Sequence, residues 1–234
     1  PNFFEVANIA SGMNSIIGDI RDLDALQKAI AASQPQIVLH LAAQALVGEG
    51  YRDPLGTFST NIQGTVNLLE TIRNLPSVQA VVIVTSDKCY ENKEWTWPYR
   101  ENEALGGRDP YSSSKACAEL VTTAYRHSFL TQAGVSIATA RAGNVFGGGD
   151  WSGNRLIPDL LAAFSQSQAA QLRCPNSVRP WQHVLEPLAG YLMLAEHLCS
   201  NSATNWSWNF GPGEQDCLPV GKVADQLATL WGKD

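Results

Sequence analysis

Three short apolar runs, at residues 37–41, 80–85 and 136–140, constrain this chain more than any other feature of its sequence. They lack polar alternation and are rich in β-branched residues, the pattern of strands buried on both faces of a parallel sheet. Stretches of helical periodicity separate them, at 57–73 between the first two and at 110–131 before the third. A shorter one at 22–32 leads into the first run. Parallel neighbours need right-handed crossovers, so this alternation predicts a doubly wound α/β sheet.

The texture changes after Asn144. Gly147-Gly148-Gly149 opens a segment rich in Trp, Pro and Asn, with helical stretches near 158–167 and 186–199. Such a segment is not expected to extend the sheet regularly, and long structured loops usually carry binding functions. The expectation is a first domain at 1–145 that carries the catalytic residues. Residues 146–234 should form mainly a substrate-binding lobe, interleaved with the sheet.

Hydrophobic residues at 44% and charged residues at 16% suit a packed core, and 234 residues are enough for one large α/β domain or a domain with a lobe. A net charge of −6 argues against a nucleic-acid partner, which asks for a basic face. Five scattered cysteines, without a CxxC pair or a histidine at ligand spacing, indicate reduced thiols in a cytoplasmic protein and no metal site. The apolar runs are too short for a membrane span, and no stretch has the layout of a signal peptide.

The strongest local signal is Tyr111-Ser112-Ser113-Ser114-Lys115. On a helix, positions i and i+4 share a face, so the phenol and the ammonium lie side by side. A neighbouring cation favours the phenolate, which yields a base able to take a hydroxyl proton. Upstream, Val84-Thr85-Ser86-Asp87-Lys88 ends an apolar strand. Ligands of open α/β sheets sit at strand carboxyl ends, which is where this hydroxyl, carboxylate and amine arrive together. A polar turn in which Asp87 caps the next segment is the bland alternative. His40 reads as a packed neighbour of a cofactor, and Trp95 and Trp97 as packing or oligomer contacts.

A strand ending in Ser86, then Tyr111 and Lys115 on the following helix, resembles the Ser-Tyr-Lys triad of short-chain dehydrogenases. His40-Leu41-Ala42-Ala43 resembles the strand end beside the cofactor in the extended branch of that superfamily, and Gly18-Asp19-Ile20-Arg21-Asp22 its adenine-contacting turn. Arg141-Ala142-Gly143-Asn144 and Arg179-Pro180-Trp181-Gln182-His183-Val184 are similar to its later substrate motifs. The resemblance runs in order over nearly the whole chain. It implies a Rossmann-like fold, NAD as cofactor, and a homodimer built on the helices at 57–73 and 110–131, for which the apolar stripe Val66, Leu69, Leu120 and Val121 would serve unless it faces the sheet. Cofactor contacts are implied at Asp19, Ile20, Leu41, Ala42, Ala43, Thr85, Tyr111 and Lys115. Substrate contacts are implied at Asn144, Arg155, Arg179 and His183.

Within that branch, Ser86-Asp87-Lys88-Cys89-Tyr90 and Gly147-Gly148-Gly149-Asp150-Trp151 are similar to CDP-glucose 4,6-dehydratases, whereas dTDP-glucose 4,6-dehydratases carry Thr-Asp-Glu at the strand end. The implied chemistry belongs to deoxysugar biosynthesis, as for lipopolysaccharide. Its substrate is a CDP-sugar, with Ser86, Asp87, Lys88, Tyr111 and Lys115 catalytic. Lys88 is open between a base and an electrostatic stabiliser of the enolate. No glycine-rich dinucleotide loop is found, so a first strand with that loop is expected before Pro1 and a further piece after Asp234. A 4-epimerase or decarboxylase on the same scaffold, and a non-catalytic nucleotide binder, are the competing readings.

Overall fold

The apolar runs become neighbouring parallel strands. The computed structural model describes residues 2–200 and 205–232. In chain order its first elements are α1 (Phe3–Val6), α2 (Leu23–Ser33), β1 (Ile37–His40), α3 (Val47–Arg52) and α4 (Pro54–Phe58). There follow α5 (Gly64–Arg73), β2 (Ala80–Val84), α6 (Pro110–Tyr125), β3 (Ser136–Ala142) and β4 (Asn144–Phe146). The last are α7 (Leu156–Ser165), β5 (Val178–His183), α8 (Leu185–Ser200), β6 (Ser207–Phe210), β7 (Cys217–Pro219) and α9 (Val220–Trp231).

Two units divide the chain, and neither is a continuous segment. The sheet unit contains Ile16–Ala142 and Leu188–Phe210; the second contains Pro1–Ser15, Gly143–Pro187 and Gly211–Asp234. The single boundary expected near residue 145 is therefore supplemented by a return of the chain to the sheet unit, with α8 crossing between the two.

In the sheet unit four parallel strands are ordered β1-β2-β3-β6, with Ile37 opposite Ala80 and Ala80 opposite Ser136. The fourth strand comes from the segment after Asn144, which was not expected to extend the sheet regularly. β6 pairs with β3 from Thr139 opposite Ser207 to Ala142 opposite Phe210. Ser207-Trp208-Asn209-Phe210 carries too few aliphatic residues to read as a buried strand. Its place is set by α8 instead, where Tyr191 meets Phe210 edge-on at 5.2 Å.

Alternating strand residues serve the two sheet faces. Val81, Ile83 and Ile137 cluster with Leu68, Leu69 and Ile72 of α5 and with Leu130, all at most 1% exposed except Leu68 at 4%. Each such side chain contributes about 1.5–3 kcal/mol on burial. Leu69 and Val121 thus serve this core, with Val121 packed against it, while Leu120 is 59% exposed. The stripe expected at a dimer interface is split between two faces.

Caps fix the helix starts. Asp22 accepts from the Ala25 amide at α2, and Asp53 from the Gly56 amide at α4. At α6, Asp109 accepts from the Ser112 amide (3.0 Å) and the Ser112 hydroxyl (2.6 Å), and Pro110 occupies the first turn. These are good N-terminal residues because each supplies an acceptor, or removes a donor, where helical amides lack partners. Gly107 lets the preceding loop lie on that turn, since a Cβ there would stand 2.3 Å from the Ser113 amide nitrogen.

In the second unit β5 lies between β4, which runs parallel, and β7, which runs antiparallel. Helix α9 follows β7 directly and places Trp231 at 5.9 Å from Phe164 of α7.

Candidate active site

β2 ends at Val84, and the next residues carry the chemistry. Ser86 caps a single 3₁₀ turn, Asp87–Cys89, its hydroxyl accepting from the Lys88 amide (3.2 Å) and donating to Asp87 Oδ1 (3.1 Å). The capping residue of the polar turn is therefore Ser86. Lys88 Nζ lies 3.4 Å from Asp87 Oδ1, and both side chains are more than a third exposed, so the pair is loose and open to a ligand.

α6 brings up the other half. Tyr111 and Lys115 lie one turn apart, 8% and 7% exposed. Lys115 Nζ donates to the Val84 carbonyl across 3.2 Å, which ties α6 to the end of β2. Burial pulls the Lys115 ammonium down to about 8, with the Glu119 carboxylate opposing the fall. His40, at the end of β1, is held well inside: burial, then the charge of Lys115, lowers it to about 4. Its Nε2 sits 3.1 Å from Thr65 Oγ1, a packed neutral imidazole.

The turn at Gly18–Asp22 belongs to the same unit. Arg21 forks onto Asp19 through Nε (2.9 Å) and Nη2 (2.5 Å), holding that exposed carboxyl down to about 2. Asn67 of α5 donates to the carbonyls of Ile20 and Arg21. Gly64 makes room for the turn, since a Cβ there would meet Ile20 Cγ2 at 2.6 Å. Leu41 and Ala42 are exposed beyond β1, while the Thr85 hydroxyl is committed to Glu119.

The implied substrate residues lie in the second unit. Asn144 of β4 stands opposite Trp181 of β5, and Arg179, Trp181 and His183 share one face of β5 by alternation. The side-chain oxygen of Asn144 is buried without a hydrogen-bond partner. Arg155 pairs with Asp150 at 3.0 Å, Arg179 is exposed, and His183 meets Phe146 edge-on at 5.9 Å. A cavity of about 510 Å³ is lined by Phe146, Trp181, His183, Glu186 and Leu218 among others, and Asn144, Arg155 and Arg179 are not among its walls.

Several residues escaped sequence reasoning. Asn61 lies in a π-helical turn, Ser59–Gln63, that joins α4 to α5, and donates to Ser114 Oγ (2.8 Å) and the Gln44 carbonyl (3.0 Å). Glu119 and Arg141 form a buried pair with side chains 2% and 3% exposed. An arginine inside an apolar strand was the available signal, because a buried charge requires a partner.

Residues 5–207 match the GDP-mannose 4,6 dehydratase family. The chain belongs to that family. It is 52% identical over 240 residues to the CDP-glucose 4,6-dehydratase of Salmonella typhimurium, a match that covers all of this chain and 67% of the relative. A dTDP-glucose 4,6-dehydratase from Streptomyces venezuelae, solved with NAD bound, superimposes with a TM-score of 0.83 at 25% identity, covering 98% of this chain and 68% of that one. The UDP-glucose 4-epimerase of Thermotoga maritima matches the fold with a TM-score of 0.81 at 22% identity, covering 93% and 68%. The chain thus spans about two thirds of the length of each. The Rossmann-like architecture expected from the sequence is the fold of these two solved structures.

Proposed function

We propose that this chain forms the catalytic part of a CDP-glucose 4,6-dehydratase, producing CDP-4-keto-6-deoxyglucose with loss of water. The observation that carries the reading is the pairing of Ser86-Asp87-Lys88 at the end of β2 with Tyr111 and Lys115 on α6, two halves tied by the Lys115–Val84 hydrogen bond. The 52% identity to a CDP-glucose 4,6-dehydratase supports it over the epimerase reading, whose relatives are more distant.

The residues present fit part of a dinucleotide, and the glycine-rich loop that would cradle its pyrophosphate is not among them. Asp19 offers a carboxylate on a turn pinned to α5, Leu41 and Ala42 expose apolar surface at the carboxyl end of β1, and Lys115 is a buried cation whose hydrogen bond goes to a neutral carbonyl. Asp19, Ile20, Leu41, Ala42 and Ala43 would hold NAD, with Thr85 contributing backbone and Tyr111 and Lys115 facing its reactive end. Bound NAD supplies a reversible acceptor that takes the C4 hydrogen of the sugar and returns it at C6.

The residues of the chain supply the proton chemistry. Tyr111 takes the proton of the sugar 4-hydroxyl, Lys115 favours the phenolate that does so, and Ser86 orients the hydroxyl. The C4 ketone acidifies the C5 proton. Asp87, in its protonated form, gives its proton to the departing C6 hydroxyl, so the C6–O bond breaks and water leaves. Lys88, beside Asp87, either takes the C5 proton and gives it back to C5 when hydrogen returns at C6, or stabilises the enolate while another base carries that proton out and back. Asn144, with its amide oxygen free for a ligand-borne donor, Arg155, Arg179 and His183 would hold the nucleotide diphosphate, arginine being suited to bidentate phosphate contact.

A homodimer is part of this reading, and of the residues expected at its interface Leu120 on α6 is 59% exposed. No helix among the described residues is long and apolar enough to cross a membrane. Work in the cytoplasm, on a sugar nucleotide destined for lipopolysaccharide, belongs to the same proposal. The test is to supply NAD and CDP-, dTDP- or UDP-glucose in parallel and measure 4-keto-6-deoxy sugar. Preferred turnover of the CDP sugar is expected; a 4-epimer as the sole product would replace the reading.

A further inference from the structure

Glu119 lies one turn beyond Lys115 on α6, and its two oxygens receive four hydrogen bonds. Arg141 of β3 gives two, from Nε (2.9 Å) and Nη2 (2.7 Å); Thr85 gives one (2.5 Å) and Thr139 another (2.7 Å). Four donors fill the acceptor sites of a carboxylate, so its position is fully determined. Arg141 then turns its third nitrogen, Nη1, to the Tyr90 hydroxyl (2.8 Å) and the Glu101 carbonyl (3.0 Å). The Tyr90 hydroxyl donates in turn to Asn209 Oδ1 of β6 (2.7 Å).

These partners bracket the chemistry. Thr85 immediately precedes Ser86, and Tyr90 follows Lys88 by two residues. Cys89 and Tyr90 also pack on Ala116, the neighbour of Lys115. Both flanks of the strand end are therefore attached to one ion pair that joins α6 to β3, Thr85 through Glu119 and Tyr90 through Arg141. A buried ion pair gives little net stability over an apolar pair of the same volume. An apolar pair would hold the sheet together, but it would offer nothing to Thr85 or Tyr90.

We propose that the buried Glu119–Arg141 pair, acting through Tyr90, is a positioning device that fixes the Ser86-Asp87-Lys88 strand end against the helix carrying Tyr111 and Lys115. None of the three touches a reacting atom. The inference rests on the dehydratase reading for what is positioned, though the clamp itself is a property of the fold. Its consequence is selective: Tyr111 and Lys115 stay in place on α6 when the clamp loosens, whereas Asp87 loses its register.

Tyr90→Phe in the full-length enzyme removes the central hydroxyl and keeps the ring, which stacks on Tyr99 at 5.1 Å and under the Arg141 guanidinium at 4.9 Å. Hydrogen exchange, measured without substrate, should rise about tenfold at the amides of Ser86–Tyr90, through more frequent local opening, and stay unchanged at Val81–Val84. With NAD and CDP-glucose, kcat should fall by about tenfold or more, as misplacement of a catalytic group predicts, with KM within about twofold. Reduced nicotinamide should build up, because oxidation outruns elimination. Arg141→Lys, which keeps the charge and loses the fork, should give the same pattern; a purely structural role would lower the melting temperature without changing the balance of the two steps. Unchanged exchange at Ser86–Tyr90, or faster exchange with wild-type kcat, overturns the proposal. If the wild-type enzyme fails to dehydrate CDP-glucose, the functional reading falls, and the exchange rates alone decide the clamp.

Discussion

Lys115 Nζ and the Val84 carbonyl meet at 3.2 Å, so the residue that tunes Tyr111 is also the residue that ties its helix to the strand delivering Ser86. The ammonium is buried to make that contact, and burial lowers it to about 8.

The depressed ammonium gives a pH dependence of stability. Between about 8 and 10.5 the unfolded chain binds a proton at this lysine that the folded chain has released, so stability rises with pH across that window. Below about 8 both states are protonated and the cost of burying the charge is present in full. Urea unfolding of the wild type and Lys115→Met should converge or cross in that range. Relative to the variant, the wild type should gain about 2–3 kcal/mol between pH 7 and pH 10. A constant difference across that range would mean that Lys115 is no more buried than an ordinary lysine.

Tyr111→Phe should lower kcat by about 10²–10⁴, the usual contribution of a positioned proton-transfer group. The ring remains, so the far-ultraviolet spectrum and the affinity for NAD should stay close to those of the wild type. Near-normal turnover of CDP-glucose would remove Tyr111 from the mechanism.

Asp87→Asn separates oxidation from dehydration. Ser86, Tyr111 and Lys115 are intact, so C4 still oxidises, while the C6 hydroxyl lacks its acid. Stopped-flow absorbance should show reduced nicotinamide rising on addition of CDP-glucose and about 10²-fold less keto-deoxy product. Lys88→Ala should behave alike, and because the Asp87–Lys88 pair is exposed, neither change should unfold the protein. Wild-type product rates in both would reduce this strand end to a polar turn.

Gly107→Ala tests how the first turn of α6 is seated. The added methyl would stand 2.3 Å from the Ser113 amide nitrogen and 2.5 Å from the Ser112 carbonyl carbon, both backbone atoms that cannot rotate away. A loss of about 1–3 kcal/mol in chemical denaturation is expected, in the range of overpacked sites. Activity should drop further than the stability change explains, because Tyr111 sits in the displaced turn. Gly148→Ala, where nothing lies within 4 Å, is the control.

Much of this was legible in the sequence. Residues 37–41, 80–85 and 136–140 announced parallel strands by an unbroken apolar character, although β1 is not buried on both faces: His40 is its buried residue, and Ile37 and Leu39 are 45% and 37% exposed. Tyr111 and Lys115 announced themselves by helical spacing, and Ser86-Asp87-Lys88 by three reactive groups at a strand end. These signals are local, since each depends on residues a few positions apart along one element.

Tertiary structure decided the rest. Ser207-Trp208-Asn209-Phe210 became a strand only because β3 offered a free edge and α8 packed against it, and neither condition is written in those four residues. Leu69 and Leu120 carry the same apolar character, yet one lies in the core and the other is 59% exposed, since the direction a helix face points is fixed by its neighbours. Glu119 was one more acid on a helix until β3 brought Arg141, 22 residues later in sequence, to within 2.7 Å. Periodicity along the chain determines which faces must be buried; the energy of a buried charge depends on partners that only the folded chain brings together.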